Sequence, residues 1–246
     1  MTAFTKTPAG LLFNPDGSFF GVVNPLGNEL GHIGVVYEGT AAGRPAPGAV
    51  ALGAQIVITD YGRTRWESDL TRWKPVGPQI VAIKPGITSG AIQTAEQVIG
   101  QLSCPGWMLD GNVFVLRYTL GRNNTADGFS GIASIRMATT GLVTDASIGT
   151  VGFAGSFPAG SGSLSVGTEN WSRMASATSV NRLGTANAGP SFAGTPQAVA
   201  LNAAHTVGDV TANNGNNIFF LSITQAMLAA TTTTPQTGYM DLEIRP

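Results

Sequence analysis

The sequence predicts an all-β protein whose larger part is an antiparallel β-sandwich of the jelly-roll kind. Over residues 88–246, about eight or nine short segments alternate polar with apolar residues and are separated by turn-forming residues. Helical periodicity is weak throughout, and only Thr224–Ala230 keeps a short helix as an alternative. Short strands at regular spacing are typical of a sandwich, and a jelly roll with contacts between copies would cover its open edges.

The strand predictions rest on the two-residue period of a pleated strand. Tyr239–Arg245 alternates most cleanly, because Met240, Leu242 and Ile244 share one face while charged residues occupy the other. The region Gly155–Pro196 is rich in Gly, Ser and Ala, so we expect loops there that face solvent or contact other copies. The remaining predicted strands are Gln79–Lys84, Ala95–Ser103, Asn112–Gly121, Phe129–Met137, Asp145–Phe153, Ser163–Thr168, Ser176–Arg182, Gln197–Leu201 and Ile218–Thr224.

A smaller β module precedes the sandwich, over residues 37–87. Its β-branched run Ala54–Thr59 is followed by a predicted hairpin, in which two tryptophan-bearing strands flank Ser68-Asp69-Leu70-Thr71. Trp66 and Trp73 each lie between charged neighbours, so the alternation places both rings on one face and the charges on the other. The residues that we expect to support this module or its contacts are Trp66, Asp69 and Trp73.

Residues 1–36 form a string of turns with two short apolar pieces, Leu11–Phe13 and Phe19–Val23. Pieces this short cannot bury a core alone. Either they pack on the following domain or they become ordered on a partner, and we favour the second interpretation. Phe13, Phe19 and Phe20 are the contact residues expected in this attachment arm. The predicted organisation is therefore an arm at 1–36, a connecting module at 37–87 and a sandwich at 88–246.

The composition favours a component of an assembly. Charged residues make up 11% of the chain, whereas about a quarter is usual. Hydrophobic residues make up an ordinary 43%, and 33 residues are glycine. Small and uncharged polar residues must therefore cover most of the surface. Such a surface suits a protein whose neighbours occupy it better than it suits a monomeric enzyme, so we expect an oligomer.

Several partners and sites are not expected from the composition. The net charge is −1, and the basic residues Arg63, Arg65, Arg72 and Lys74 are interleaved with other types, which predicts no nucleic-acid partner. The single cysteine, Cys104, excludes an intrachain disulfide and a cysteine zinc site. No apolar run approaches the roughly eighteen residues that span a bilayer, and the N-terminus lacks the apolar core of a signal peptide. We expect no membrane partner.

The sequence predicts no enzyme, no cofactor and no metal site. His32 and His205 are the two histidines, and His205 with Asp209 offers too few ligands for a metal, so we interpret it as a loop histidine. Asp241 and Glu243 share a strand face about 7 Å apart, a spacing relevant to glycoside hydrolysis. A solvated outer face explains these two carboxylates better. Trp107 and Trp171 could stack on sugar rings, but core or interface packing is favoured for each.

The motif order in the connecting module resembles a module of tail-fibre, head-fibre and other virion structural proteins of tailed bacteriophages. In that family it links an attachment region to a distal domain. This chain has Leu70 where the family usually has glycine after the aspartate of the turn. The matching residues are Arg44-Pro45-Ala46, Gly48-Ala49-Val50, Thr59-Asp60, Gly62, Trp66, Ser68-Asp69, Thr71, Trp73 and Pro75-Val76.

A second resemblance covers the sandwich. The sequence EQVIGQL followed by CPG, the strand around Arg117, the Asn- and Thr-rich segment at 123–126 and the sequence IASIRM are similar to the distal jelly-roll domain of phage head-fibre and spike-like proteins. Tyr239–Arg245 corresponds to the closing strand. Together the two resemblances cover the chain from Arg44 to its C-terminus.

These resemblances imply a non-enzymatic virion structural protein, made in the cytoplasm of a bacterial host and located on the capsid or tail surface. The role expected is a head fibre, decoration or cement protein that binds the major capsid protein or other virion proteins as a homotrimer. The first alternative is a receptor-binding tail fibre that recognises a host surface glycan. The second is a depolymerising spike enzyme, which would need a pair of carboxylates in a groove.

Overall fold

The computed structural model describes residues 5–6, 11–13, 19–22, 36–50, 52–86, 88–90, 95–122, 129–157, 165–188, 204–227 and 235–246. The chain divides into two compact units, Met1–Val76 and Gly77–Pro246, called unit one and unit two below. Strands dominate both units, which confirms the all-β prediction. None of the described helices is long and apolar enough to cross a membrane.

Unit one contains two small sheets. The strands β1 (Thr5–Lys6), β2 (Leu11–Phe13) and β3 (Phe19–Val22) form an antiparallel meander. The second sheet has the order β4-β5-β6-β7, and its first pair is parallel while the others are antiparallel. A short 3₁₀ helix, Pro47–Ala49, lies between β4 and β5. The strands of this sheet are β4 (Val36–Gly39), β5 (Gln55–Ile58), β6 (Thr64–Ser68) and β7 (Trp73–Pro75).

Unit two contains the remaining strands, a four-residue helix α1 (Gly106–Leu109) and a 3₁₀ turn at Ala212–Gly215. Its strands are β8 (Gln79–Lys84), β9 (Thr88–Ser89), β10 (Gln97–Pro105), β11 (Val113–Arg122), β12 (Phe129–Ala138), β13 (Ser147–Phe157), β14 (Ser165–Ser176), β15 (Ser179–Ala188), β16 (Ala204–Thr206), β17 (Ile218–Met227) and β18 (Pro235–Arg245).

The strand order in unit two is that of a jelly roll. One sheet has the order β16-β15-β14-β11-β18-β8, with β9 also paired to β18, and the other has the order β10-β17-β12-β13. The pairs β8·β18, β10·β17, β11·β14 and β12·β13 are nested, and successive pairs fall in alternate sheets. A folded-over ladder of eight strands that closes in this way is a double-sheet jelly roll. Strands β15 and β16 extend one sheet beyond it.

The core of unit two is formed by the inward faces of these strands. Met240, Leu242 and Ile244 of β18 are buried, as their alternation predicts. Phe114, Leu116 and Tyr118 of β11 and Phe219, Leu221 and Ile223 of β17 are also buried. Because these residues are large and apolar, their removal from water is the main stabilising contribution to the sandwich.

Four sequence predictions differ from the structure. The strand β8, grouped above with the connecting module, pairs with β18 and is the first strand of the jelly roll. Much of Gly155–Pro196 forms the long hairpin β14–β15 rather than loops. Pairing across the sheet stabilises these strands, although several of their residues have a low strand propensity. The predicted strand Ser176–Arg182 spans the turn of that hairpin. Thr224–Met227 continues β17 instead of starting a helix. The predicted strand Gln197–Leu201 lies outside the described residues.

Two glycines of unit two, Gly106 and Gly215, each lie in close contact with a neighbouring residue. A Cβ atom at Gly106 would lie 2.9 Å from the Cα atom of Val210, and one at Gly215 would lie 2.9 Å from the backbone nitrogen of Trp107. Gly215 also has a φ of +71°, which favours glycine. Helix α1 can approach Val210 and the 3₁₀ turn this closely only because neither glycine has a side chain.

We expect Gly106→Ala to lower the free energy of unfolding by about 1–3 kcal/mol, the usual effect of inserting atoms into a packed contact. Urea titration followed by tryptophan fluorescence would measure it. Gly39→Ala is the matched control, because a Cβ atom there would meet nothing within 4 Å. Equal stability of the two variants would contradict the packing argument.

Candidate functional site

The two tryptophans of the hairpin lie inside unit one. In the β6–β7 ladder Trp66 faces Pro75 and Ser68 faces Trp73, so both rings share one face, as predicted. Both residues are buried. The indole Nε1 of Trp66 donates to the hydroxyl of Thr64 (2.9 Å), and that of Trp73 donates to the carbonyl of Pro45 (3.1 Å). The rings therefore support the module from within.

Asp69 holds the hairpin turn together. Its Oδ1 accepts hydrogen bonds from the backbone nitrogens of Thr71 (2.9 Å) and Arg72 (2.8 Å) and from the hydroxyl of Thr71 (2.6 Å). Lys74 Nζ lies 2.9 Å from Oδ2. Burial alone would raise the pKa of Asp69, but the hydrogen bonds from Lys74, Thr71 and Arg72 hold it well below its usual range. Asp69 is therefore ionised at neutral pH, and its charged form accepts the hydrogen bonds of the turn.

The motif segment Arg44–Val50 packs against the same turn. The hydroxyl of Ser68 donates to the carbonyl of Pro47 (2.9 Å) and accepts from the backbone nitrogen of Leu70 (3.0 Å). A Cβ atom at Gly48 would lie 3.2 Å from the carbonyl oxygen of Leu70, so a small residue is favoured there. Residues about twenty positions apart in the motif therefore act on one turn.

The motif residues Thr59, Asp60 and Gly62 lie at the other end of the sheet. Asp60 Oδ1 accepts from the backbone nitrogen of Ala41 (2.9 Å), and Gly62 has a φ of +65°, which favours glycine. Arg44 donates to the carbonyl of Ala41 (3.0 Å), and burial lowers the pKa of its guanidinium to about 10. The motif residues of unit one thus form one set of hydrogen bonds around Ala41 and another around the hairpin turn.

Leu70 occupies a position where the backbone favours glycine. Its φ is +73°, in the left-handed region, and its side chain is 46% exposed. A non-glycine residue in this region costs roughly 1–2 kcal/mol. The bonds that Ser68 and Asp69 make to the turn hold Leu70 in this conformation.

A second polar cluster lies on the outward face of the larger sheet of unit two. We call it the Arg117 cluster. Arg117 on β11 contacts Glu169 on β14 (2.9 Å) and Asp241 and Glu243 on β18 (2.9 and 2.7 Å). Arg245 pairs with Glu243 as well. The guanidinium of Arg245 also lies 4.3 Å from the ring centre of Trp171, a cation–π contact.

The Arg117 cluster corrects the prediction of a solvated outer face. Asp241 and Glu243 are only 4% and 7% exposed. Burial alone would lower the pKa of Arg117 and raise that of Glu243. Hydrogen bonds between them reverse both effects, so the pKa of Arg117 lies above its usual value and that of Glu243, which also accepts from Arg245, lies below it. In the cluster two guanidinium groups thus pair with three carboxylates.

Both carboxylates on β18 are engaged by guanidinium groups. Arg245 lies over one face of the Trp171 ring, and Trp107 is buried. That the chain is not an enzyme stays a prediction.

The structure describes one of the two histidines, His205, and the prediction that it lies in a loop is wrong. His205 lies on the edge strand β16, paired with Val180, rather than in a loop. Asp209 accepts hydrogen bonds from Thr211. Among the described residues no three histidine, cysteine or acidic side chains are grouped to hold a metal. His32 lies outside the described residues.

The three phenylalanines of the predicted arm lie on strands of unit one. Phe13 ends β2 and pairs with Phe19 at the start of β3, and Phe20 follows on β3. Their role as contact residues stays a prediction. Arg117, by contrast, was not predicted as a functional residue. Its signal in the sequence is a lone arginine within the apolar strand NVFVLRYTLG, opposite a final strand that alternates acidic residues.

Comparisons with known proteins give little similarity. No family model matches the chain, and no curated protein matches it. Among solved structures it is similar to a chain in "Structure of infectious bursal disease virus Gx strain", at 10% identity and a TM-score of 0.23. The match covers 71% of this chain and 42% of that chain, so this chain spans less than half the length of the one it matches. A similarity of this TM-score says nothing about function.

The strain at Leu70 can be measured with two variants that both remove its side chain. We expect Leu70→Gly to be more stable than Leu70→Ala by about 1 kcal/mol, because only glycine adopts a positive φ without steric cost. Thermal and urea unfolding would measure the difference. Equal stability would mean that the turn does not hold residue 70 in the left-handed region.

Removal of the guanidinium from the Arg117 cluster should be strongly destabilising. We expect Arg117→Met to lower the free energy of unfolding by about 3 kcal/mol at neutral pH, because Asp241 stays buried without its guanidinium partner and Glu243 keeps only Arg245. Since the lowered pKa of Glu243 stabilises the wild type only while the group is ionised, the difference should narrow as the pH falls below about 4. Urea titrations at several pH values would measure both effects.

The control for that experiment is Arg63→Met. Arg63 pairs with Glu38 at 2.7 Å, but the two side chains are 65% and 53% exposed. Exposed pairs contribute about 0–1 kcal/mol. A loss at Arg117 no larger than the loss at Arg63 would show that burial of the cluster has no energetic consequence.

Proposed function

We propose that the chain is a non-enzymatic virion structural protein of a tailed bacteriophage, which decorates or stabilises the capsid surface as a homotrimer. The observation that carries the proposal is the hydrogen bonding of unit one. Of the residues shared with phage virion proteins, Ser68, Asp69 and Trp73 bond to the hairpin turn or to the Pro45–Pro47 segment, whereas Asp60 bonds to the backbone of Ala41 at the other end of the sheet. Hydrogen bonds at both ends of one small sheet support the proposal because they involve the residues on which the resemblance depends.

The jelly roll of unit two is compatible with this role but does not establish it. Viral capsid and lectin domains share the fold, and a fold by itself does not define a function. The low fraction of charged residues supports assembly, because contacts with neighbours would cover an uncharged surface. Each square ångström of apolar surface buried contributes roughly 25 cal/mol, and several copies multiply a weak contact into avidity.

The expected partners are further copies of the chain and the major capsid protein or other virion proteins. Synthesis takes place in the cytoplasm of a bacterial host, and the mature location is the virion surface. The glycan-binding alternative is less well supported, because the rings of Trp107 and Trp171 are buried or covered by Arg245.

Immunogold labelling of intact particles tests the proposal. An antibody against the purified protein is expected to label the capsid surface, and light scattering should give three times the chain mass of 25.3 kDa. Labelling of the tail tip with binding to host cells would favour the receptor-binding alternative. Absence of the protein from particles would overturn the proposal.

A further inference from the structure

The sequence contains one asparagine that is followed directly by a glycine, and this pair, Asn214-Gly215, lies in a turn of unit two. Residues Asn213, Asn214 and Gly215 have φ values of 55°, 54° and 71°, so three successive backbones are left-handed. Glycine adopts this conformation freely, and asparagine is among the few other residues that adopt it readily. Gly215 must also lack a side chain, because a Cβ atom there would lie 2.9 Å from the backbone nitrogen of Trp107. The shape of the turn therefore favours two residue types that together are chemically reactive.

An asparagine followed by glycine can lose its side-chain amide without an enzyme. The backbone nitrogen of Gly215 would lose its proton and bond to Cγ of Asn214, the bond between Cγ and Nδ2 would break, and ammonia would leave. Water would then open the resulting five-membered succinimide at either carbonyl, which gives aspartate or isoaspartate. Glycine favours this reaction because it has no side chain to hinder its own nitrogen. Asn214 is exposed, so water has access to it.

The folded turn holds the two reacting atoms in an unreactive arrangement. The ψ of Asn214 is 31°, which directs the backbone nitrogen of Gly215 away from the asparagine Cβ. Ring closure requires that nitrogen and Cβ lie on the same side of the Cα–C bond, since an intramolecular reaction depends on the alignment of its atoms. The same nitrogen donates to the carbonyl of Thr211 (2.9 Å), so a rotation toward the side chain would break a hydrogen bond.

Asp209 positions Thr211 for that hydrogen bond. Its Oδ1 accepts from the backbone nitrogen (2.8 Å) and from the hydroxyl (2.7 Å) of Thr211. The carbonyl of Asp209 also accepts from the backbone nitrogen of Ala212 (3.3 Å). Asp209 is exposed, so its side chain acts on the turn rather than on the core. Removal of its carboxylate should therefore make the turn easier to open without a change in either reacting atom.

We propose that Asn214 is a site of spontaneous deamidation, and that the folded turn restricts the reaction to molecules in which the turn has opened. The rate in the native protein is then the rate in the unfolded chain multiplied by the small fraction of molecules with an open turn. Both products add a negative charge at an exposed position. Isoaspartate also lengthens the backbone beside Gly215, which is in close contact with Trp107. Deamidation would therefore alter the charge of the turn and its packing on unit two.

Peptide mapping by mass spectrometry tests the proposal on the full chain, incubated at mildly alkaline pH with and without concentrated urea. Deamidation of Asn214 is measured as the increase in mass from amide to acid, and isoaspartate is separated from aspartate by chromatography. We expect the reaction in the native protein to be slower than in urea by about tenfold or more, because an ordered turn opens rarely. Asn214→Gln is the control, because its longer side chain does not form the five-membered ring.

The role of the turn is tested with Asp209→Ala. We expect this variant to deamidate about fivefold faster than the wild type in the native state, since the loss of a hydrogen bond favours opening, and at the same rate in urea. Asp60→Ala is the matched control, because it removes a carboxylate that accepts from Ala41 in unit one and should leave the rate at Asn214 unchanged. All variants are compared well below their thermal unfolding midpoints, where a faster reaction reports the turn rather than the whole unit.

Three results would overturn the proposal. Equal rates with and without urea would show that the folded turn gives no protection. The absence of product at Asn214 in urea would show that this residue is not a deamidation site. An unchanged rate in Asp209→Ala would show that the hydrogen bonds to Thr211 do not control the reaction. None of these results depends on the oligomeric state or on the location in the virion, so the proposed function is tested separately.

Discussion

The structure of unit two depends on the burial of β18 on both of its faces. Its apolar residues face the core, and Asp241 and Glu243 on the other face are buried as well. Buried carboxylates are stable only when they are paired. Arg117 provides that pairing from the neighbouring strand, and β18 can therefore hold β8 on one side and β11 on the other. The guanidinium of Arg117 on β11 thus connects that strand with β14 and β18, which are distant in the sequence.

Unit one is organised differently. Its sheet is too small to rely on apolar area alone, and side-chain hydrogen bonds to the backbone fix its turns. Ser68 and Asp69 act on the hairpin, while Asp60 acts at the opposite end. A module stabilised in this way keeps its shape over a short length of chain.

Much of the architecture follows from the sequence. The two-residue alternation in β11 and β18 determines which residues face the core, and the charged neighbours of Trp66 and Trp73 determine the face of both rings. The motif also marks the turns of unit one. The hairpin β14–β15 is predicted only in part, as the strands Ser163–Thr168 and Ser176–Arg182, because its residues do not alternate regularly and pairing across the sheet stabilises it.

Only the tertiary structure decided how the charged residues are used. Arg117, Glu169, Asp241 and Glu243 belong to three strands that come together because the ladder of strands folds over, and no local pattern encodes that neighbourhood. Likewise, sequence shows a leucine at position 70, but the hydrogen bonds that Ser68 and Asp69 accept from the turn backbone hold it in the left-handed region. Local residue types determined the strands and their faces, whereas contacts between distant segments determined the charge pairing and the strain.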